Sequence, residues 1–286
     1  MTGVYTTRVV LSFDDGRRDN FRVAMEELVK RKLPATFNIT SGYIEKTIEL
    51  DELCPNEPMT VEEVVELSKN SNFEIAGHGY AHLNTIEDWE KGIHVLKKWL
   101  GNEYFSEGYG VASPHSVVTN AWITNNFENR EESNIKYIRT GLKNQFTLMQ
   151  RGISKVARLT GDCKLMYAPI KESLKHIPEN SLLCYSVPIL NPHSYKQVEY
   201  IIDKTIQKNG DIILMLHSIL KNGEENSQSS GRQKEDRICW KKRICQQKKK
   251  LWQIAVWLKK SLLLRKRYDK IIHVVRRDGP LLPGRY

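Results

Sequence analysis

The sequence of this chain predicts an α/β fold in which seven mostly parallel strands form one sheet. Three observations support this prediction. Short β-rich runs alternate with helix-like segments along the first 217 residues, an order typical of βα units and parallel strands. The number of strand-like runs, seven, favours a closed barrel over an open sheet. Asp or His residues stand just after four of these runs, at the end where parallel barrels carry their functional groups.

The individual elements follow from the spacing of apolar residues. The predicted strands are short and apolar, and they cover residues 8–13, 35–38, 74–76, 109–112, 137–139, 182–187 and 211–216. The predicted helices carry apolar residues three and four positions apart, and they cover residues 21–31, 61–69, 88–100 and 197–208. Thr60 followed by Glu63 is a capping-box pattern that begins the second of these helices.

The distribution of charge divides the chain near residue 226. Residues 1–226 hold 26 basic and 30 acidic residues, whereas residues 227–286 hold 18 basic and 4 acidic residues. We therefore predict a barrel domain over 1–226 and a basic C-terminal segment over 227–286. That segment is interpreted as a diverged or frame-shifted terminus, as a closing βα unit with a basic face, or as an arm for anionic polymers. Nucleic acid is not an expected partner of the acidic barrel, because such binding depends on basic residues.

Targeting signals are not evident in the sequence. No uncharged apolar run approaches the roughly 18–20 residues that a membrane-spanning helix needs, and the apolar run before Asp14 is too short for a secretory signal. We expect a cytoplasmic protein with no membrane span, or an extracellular one if an N-terminal leader is missing. The five cysteines are scattered without a Cys-x-x-Cys pair, which argues against a thiolate zinc site. The oligomeric state stays open.

Two adjacent aspartates, Asp14 and Asp15, follow the first predicted strand and precede Gly16. Successive residues leaving a strand face opposite ways, so one carboxylate can hold a metal while its neighbour takes a proton. The same segment is also favourable turn chemistry without any further role. Both interpretations stay open on these residues alone.

Two histidines four residues apart, His78 and His82, follow the third predicted strand. One helical turn brings two such imidazoles to one face. With an aspartate from another strand end they make a three-ligand site with an open position for water, as in catalytic zinc sites. His217 ends the seventh predicted strand, where it is either a core histidine bonded to the backbone or a member of this site.

Together these residues resemble the motifs of the polysaccharide deacetylase family, also called the NodB-homology domain or carbohydrate esterase family 4. Residues 12–16, Ser-Phe-Asp-Asp-Gly, resemble its first motif, Thr-Phe-Asp-Asp-Gly. Residues 78–82, His-Gly-Tyr-Ala-His, resemble its second, His-(Ser/Thr)-x-x-His, and residues 214–217, Leu-Met-Leu-His, resemble its fifth, Leu-x-His. The resemblance covers about residues 5–222.

The resemblance implies a fold, a cofactor and a set of roles. The fold would be a distorted (β/α)7 barrel related to TIM barrels. One divalent metal, zinc first and otherwise Co²⁺, Ni²⁺ or Mn²⁺, would be bound by Asp15, His78 and His82. Asp14 would be the general base and His217 the general acid.

The implied activity is hydrolysis of N- or O-linked acetyl groups on a carbohydrate, and for the N-linked case this means cleaving an amide bond that is not a peptide bond. The metal would activate water for attack on the acetyl carbonyl. Pro114 and His115 occupy the third motif, where the backbone N–H of His115 would stabilise the oxyanion. The implied partner is an acetylated carbohydrate.

The sequence departs from the family pattern at two motifs. The third motif is usually Arg-x-Pro-Tyr and here reads Ala-Ser-Pro-His over residues 112–115, so we expect the arginine that orients the catalytic aspartate to be absent. A fourth motif with an aspartate that tunes the general acid is not recognisable, and Asp162 and Asp203 are the nearest acidic residues. A second hypothesis is therefore a catalytically weak, metal-containing carbohydrate-binding module of the same fold.

Overall fold

The computed structural model describes residues 7–49, 57–127, 134–178, 180–190 and 193–217. The predicted basic segment 227–286 and the boundary at residue 226 lie outside these described residues. Within the described ranges no helix combines the length and the apolar character that crossing a bilayer requires.

Seven parallel strands form a closed barrel whose order around the ring is their order in the sequence. The first strand closes the ring against the seventh, with Phe13 opposite Leu216, and pairs on its other side with the second, with Leu11 opposite Ala35. The prediction of a closed seven-stranded barrel is confirmed. The strands are β1 (Val9–Phe13), β2 (Ala35–Ile39), β3 (Phe73–Gly77), β4 (Tyr109–Ala112), β5 (Ile135–Gly141), β6 (Leu183–Pro188) and β7 (Ile212–Leu216).

The barrel is distorted at β4. This strand pairs with β3 through the single register pair Gly77–Val111, and its register with β5 shifts between Tyr109 and Gly110. The remaining strand pairs contain at least three register positions each. The irregular edge therefore lies where the third motif leaves the barrel.

Helices connect the strands on the outside of the barrel. The helices are α1 (Arg18–Val23), α2 (Val29–Arg31), α3 (Ser41–Ile44), α4 (Val61–Ser68), α5 (Ile86–Leu100), α6 (Asn120–Asn126), α7 (Leu148–Thr160), α8 (Cys163–Tyr167) and α9 (Tyr195–Gln207). A π-helical turn, Ala24–Leu28, joins α1 to α2. The four predicted helices are present, and the Thr60–Glu63 capping box is formed as predicted. Helices α3, α6, α7 and α8 were not predicted, although α7 begins with a capping box formed by Thr147 and Gln150.

Packing around α5 fixes the loop that carries the second motif. Trp89 on this helix is fully buried, and its indole N–H donates a hydrogen bond to the Leu83 carbonyl at 3.0 Å. Leu96, two turns further along the same face, is also fully buried. Burying such large apolar side chains contributes about 2–3 kcal/mol each, so the segment that follows His82 is held against a rigid helix.

Candidate active site

A cleft of about 260 Å³ opens at the carboxyl ends of the strands. The sequence-predicted site residues that line it are Asp14, Asp15, His78, His82, His115 and His217. The structure thus brings together residues from the ends of β1, β3, β4 and β7, as expected for a parallel barrel. Pro114 is buried in the wall, while its neighbours Ser113, His115 and Ser116 line the cleft.

The turn after β1 separates the two aspartates. The Asp14 N–H donates to the Leu216 carbonyl at 2.9 Å, which continues the pairing with β7 for one residue. Asp15 then adopts a positive φ of 76° and Gly16 one of 68°, a conformation that is uncommon for a non-glycine residue. The turn and the functional interpretation of this segment are therefore compatible, because this turn directs two buried carboxylates to different partners.

Asp15 and two histidines, His78 and His82, form a compact donor set. Oδ1 of Asp15 lies 3.3 Å from Nε2 of His78 and 3.6 Å from Nε2 of His82, and the two Nε2 atoms are 3.2 Å apart. The three residues are buried, and their ligand atoms all lie within 4.8 Å of one another. Two imidazoles and one carboxylate are a donor set that suits a divalent metal, so the residues present fit the ion that the resemblance implies.

A backbone contact fixes the orientation of His78. Its Nδ1 lies 2.8 Å from the Ala112 carbonyl oxygen, an acceptor, so Nδ1 carries the proton. Nε2 is then the atom that faces Asp15 and His82. It donates to Asp15 while it is protonated, and without that proton it offers the lone pair that a metal ligand requires. Ala112 stands where the family motif has arginine, and its carbonyl group thus orients one member of the donor set.

A buried arginine that the sequence analysis did not single out holds the other side of Asp15. Arg17 donates from Nε at 2.8 Å and from Nη2 at 2.5 Å, both to Oδ2 of Asp15. The side chain of Arg17 is 3% exposed, so this is an ion pair within the protein interior. Arg17 occupies Oδ2 and leaves Oδ1 facing the two histidines. The only sequence signal for it was its position directly after Asp-Asp-Gly.

The charges in this cluster shift the pKa values of Asp15 and His78. Burial disfavours the Asp15 carboxylate, but the hydrogen bond to His78 and the Arg17 guanidinium outweigh burial and hold its pKa well below the ordinary value. Burial likewise lowers the pKa of His78, but the hydrogen bond to Asp15 and the charge of Asp14 raise it more. The cluster is therefore built to keep a carboxylate ionised in a buried place.

The second aspartate, Asp14, is held by a different arginine. Its Oδ1 accepts hydrogen bonds from Nη2 of Arg139 at 2.6 Å and from Nδ2 of Asn38 at 2.8 Å. Arg139 is 2% exposed and also donates to Oγ of Ser186 at 3.2 Å. Although burial disfavours the charged form of Asp14, the Arg139 guanidinium and the nearby histidines bring its pKa below the ordinary value.

Arg139 corrects the expectation that the orienting arginine is absent. Ala112 leaves the third motif without it, but β5 supplies a guanidinium to the same aspartate from the neighbouring strand. Ala112 and Arg139 are register partners in the β4–β5 pair. The guanidinium that contacts Asp14 therefore comes from the strand next to β4, at the same level of the barrel. In the sequence Arg139 is the last residue of the predicted strand 137–139. A charged residue at the end of an apolar run was the signal available for its role.

His217 lies on the other side of Asp14. Its Nε2 is 4.0 Å from Oδ2 of Asp14, and 41% of its side chain is exposed to the cleft. Although the ring keeps this exposure, the protein around it lowers the pKa by desolvation more than Asp14 and Asp15 raise it. Among the described residues, Asp14 and Asp15 of the first motif are the acidic groups with the largest effect on His217. Asp162, by contrast, caps α8 by accepting from the Leu165 N–H at 2.8 Å.

The third motif forms a tight turn at the rim. His115 and Ser116 both have positive φ, 52° and 59°, and the ring centroid of His115 lies 4.5 Å from that of His82. Oγ of Ser113 donates to Oδ1 of Asn84 at 2.7 Å, and Nδ2 of Asn84 donates to the Pro114 carbonyl at 2.7 Å. These bonds tie the third motif to the loop of the second. His193 does not line this cleft. It lines a smaller cavity that shares Lys143 and Pro188 with the cleft.

Steric crowding explains why the second motif contains a glycine, Gly79, in this chain. Gly79 has φ +78°, and a Cβ placed there would lie 2.3 Å from Oδ2 of Asp88. The Asp88 carboxylate fills this space because it accepts from the Ala81 N–H at 2.8 Å and from the Leu83 N–H at 3.0 Å. In this chain a carboxylate from α5 thus stabilises the loop at the place where the family motif carries Ser or Thr.

Comparisons with known proteins agree with these motifs. Residues 4–116 match the family described as polysaccharide deacetylase, and this match confirms the resemblance stated above. The matched segment holds Asp14, Asp15, His78 and His82. A search of curated proteins found no match.

Solved structures give weaker similarities. The T48 deacetylase with substrate is 15% identical, with 73% of this chain and 88% of that chain covered and a TM-score of 0.32. A CE4 family pseudoenzyme from Bacillus anthracis is 10% identical, with 76% and 71% covered and a TM-score of 0.37. A family 4 acetyl xylan esterase from Clostridium thermocellum in complex with a cobalt ion is 14% identical, with 73% and 88% covered and a TM-score of 0.36. At these TM-scores the similarities carry no argument about activity.

Proposed function

We propose that this chain, whose residues 4–116 match the polysaccharide deacetylase family, is a metal-dependent hydrolase that removes N- or O-linked acetyl groups from a carbohydrate. One observation carries the proposal. Asp14, an ionised carboxylate held by Arg139, adjoins the donor set of Asp15, His78 and His82 at the floor of one cleft. A site that only bound a metal would need no second buried carboxylate there.

The donor set defines what the cofactor would be. Asp15, His78 and His82 would hold one divalent ion, with zinc first and Co²⁺, Ni²⁺ or Mn²⁺ as alternatives, because mixed histidine and carboxylate sites accept several metals. When bound, such an ion polarises a carbonyl and makes water acidic enough to react near neutral pH. Arg17 orients Asp15 toward that ion from Oδ2.

Asp14 is assigned the role of general base. Its Oδ1 is occupied by Arg139 and Asn38, so Oδ2 is the atom that takes the proton from the attacking water. A base with a lowered pKa is ionised at neutral pH, and positioned proton transfer of this kind contributes about 10²–10⁴-fold to the rate. Arg139 fixes the carboxylate geometry and is thereby a positioning residue.

His217 is assigned the role of general acid. Its lowered pKa keeps the imidazole neutral at rest, so the proton it donates is acquired during turnover. Nε2 of His217 lies 4.0 Å from Oδ2 of Asp14, so an approach of about 1 Å or one bridging water would let that proton pass between them. Protonating the departing amine or alcohol completes hydrolysis to acetate and the free sugar group.

The structure removes one argument for the alternative hypothesis of a catalytically weak binding module. That hypothesis depended on the loss of the third-motif arginine, and Arg139 provides a guanidinium to the same carboxylate. The missing fourth-motif aspartate remains a departure. It leaves His217 coupled to Asp14 and Asp15.

The test is acetate release from a panel of N- and O-acetylated oligosaccharides. The full chain is assayed after chelation and after zinc is restored, next to Asp14→Asn and to Glu103→Gln, a matched control at an exposed carboxylate. We expect release that requires metal, is lost in Asp14→Asn and is unchanged in Glu103→Gln. Zinc binding without release from any substrate would support the binding module instead, and absence of zinc binding would refute the assigned donor set.

A further inference from the structure

Helix α7 has an apolar stripe on the face that points away from the core. Leu148 is 86% exposed, Met149 76%, Val156 46% and Leu159 79%. At 100° per residue Leu148 and Leu159 lie opposite the buried Ala157. Single exposed apolar residues are ordinary, but a cluster of this kind on one helix face indicates an interaction surface.

Basic side chains border this stripe. Arg151 and Lys155 are exposed, and together with Arg158 they follow each other at four- and three-residue spacing along one edge of the stripe. Residues 148–160 contain no Asp or Glu. This helix is thus uniformly cationic, although residues 1–226 hold more acidic than basic residues.

We propose that the α7 stripe, Leu148, Met149, Val156 and Leu159 with Arg151 and Lys155, docks the protein on an anionic lipid surface. A helix with apolar residues on one face and Lys or Arg beside them lies in the interface plane, where apolar side chains enter the acyl boundary and cations meet the headgroups. An acidic protein would also match the charge. A fluid lipid surface suits this stripe better because the unbranched Met149 side chain can adapt to it.

The stripe follows the rim of the cleft closely in the sequence. Lys143 and Asn144 line the cleft from the loop after β5, and α7 begins only four residues later, at Leu148. Docking through α7 would therefore bring this rim near the lipid. In a step that rests on the proposed function, the acetylated sugar is presented at a lipid surface, as the headgroup of a glycolipid.

Binding to vesicles tests the surface without any turnover. The full chain is sedimented with vesicles of phosphatidylcholine alone and of equal parts phosphatidylcholine and phosphatidylglycerol. Two variants remove the two properties of the stripe separately, one by Leu148→Gln, Met149→Gln and Leu159→Gln, the other by Arg151→Gln and Lys155→Gln. A control variant, Val29→Gln with Lys30→Gln, changes an exposed apolar and an exposed basic residue on α2.

We expect the unaltered chain and the control to bind the anionic vesicles and each α7 variant to bind about tenfold more weakly, with unchanged thermal midpoints. The comparison is made in the full chain because residues 227–286 are also basic and would attract the same vesicles. Equal binding by all variants would overturn the proposal and assign the attraction to other residues. Loss of self-association in the apolar variant, without vesicle binding in any, would overturn it in favour of a second copy of this chain.

An activity arm separates this proposal from the proposed function. The apolar variant should release acetate from soluble oligosaccharides at the unaltered rate and more slowly from an acetylated glycolipid in anionic vesicles. Failure of release from every substrate would count against the hydrolase alone, because vesicle binding is measured independently. Equal rates on the vesicle-borne substrate would count against docking through α7.

Discussion

The candidate site has two parts, each built on one aspartate and one arginine, and we call them the metal half and the proton-transfer half after the roles proposed for them. In the metal half Asp15 is paired with Arg17, two residues away. In the proton-transfer half Asp14 is paired with Arg139, 125 residues away. The metal half is therefore completed by two short segments of chain, whereas the proton-transfer half depends on the whole barrel. The difference shows that neighbouring residues of one turn can belong to units assembled in different ways.

The same substitution, Asp to Asn, should have its most different effects at the two aspartates. Asp15→Asn removes a charged ligand, and we expect zinc affinity to fall by more than the roughly 10–100-fold seen when only an outer partner is lost. Asp14→Asn should keep zinc affinity and lower acetate release by about 10²–10⁴-fold. Zinc titration and initial rates on the two variants measure this. If both variants lost zinc equally, the two halves would be a single unit.

The buried Arg139 pair is expected to be the largest stability effect in the proton-transfer half. Arg139→Met leaves Asp14 buried without its partner, which should reduce the free energy of unfolding by about 3–5 kcal/mol. Lys136→Met is the matched control, since Lys136 lies on the same strand in an exposed pair with Glu107, where we expect less than about 1 kcal/mol. Denaturant unfolding at neutral pH measures both.

The same variant has a predicted pH dependence. Arg139 holds the pKa of Asp14 below its ordinary value, so the stabilisation from this pair is present at neutral pH and is lost as the carboxyl is protonated in acid. The deficit of Arg139→Met should therefore shrink as the pH falls below about 4. A deficit that did not change with pH would show that Arg139 acts through packing alone.

The contrast between the halves also explains what could be predicted from the sequence. The seven strands and the metal-site residues follow from local patterns, because strand periodicity and the motif at 78–82 lie within short windows. Arg139 could not be assigned, since its role depends on the register of β4 with β5. Helix α7 was missed although its capping box is a local signal. That its apolar stripe faces solvent could not be predicted, because an amphipathic pattern does not say which face is buried.

Gly79 offers a test of how tightly the metal half is packed. Gly79→Ser introduces both an unfavourable φ and a clash with Asp88, whereas Gly101→Ser introduces an unfavourable φ of +86° in open space. We expect Gly101→Ser to reduce the free energy of unfolding by about 1 kcal/mol, through the backbone conformation alone, and Gly79→Ser to reduce it by about 1–3 kcal/mol in total. Only Gly79→Ser should also weaken zinc binding. Adding Asp88→Ala should relieve the clash. Equal losses at both glycines would show that the carboxylate moves aside.

Arg17 gives the smallest predicted effect and the one with the least obvious sign. Arg17→Gln keeps a hydrogen-bond donor for Oδ2 of Asp15 but removes a buried positive charge next to the metal donors. Because like charges repel strongly at low dielectric, zinc affinity should rise about tenfold, in contrast to the loss seen when an orienting partner is simply removed. Competition with a chelator measures this. A fall in affinity would mean that orientation by Arg17 outweighs its charge.

The seam at which the barrel closes has a consequence for how activity arises during folding. Asp14 and His217 each follow one residue after the register pair Phe13–Leu216, which joins β1 to β7. A chain synthesised from its N-terminus therefore carries its metal donors long before it possesses its proton donor. Pairing between such distant strands is intrinsically slow. Because β1 and β7 are so far apart in the sequence, zinc uptake should precede hydrolysis during refolding as well, and the onset of acetate release should mark the docking of β7.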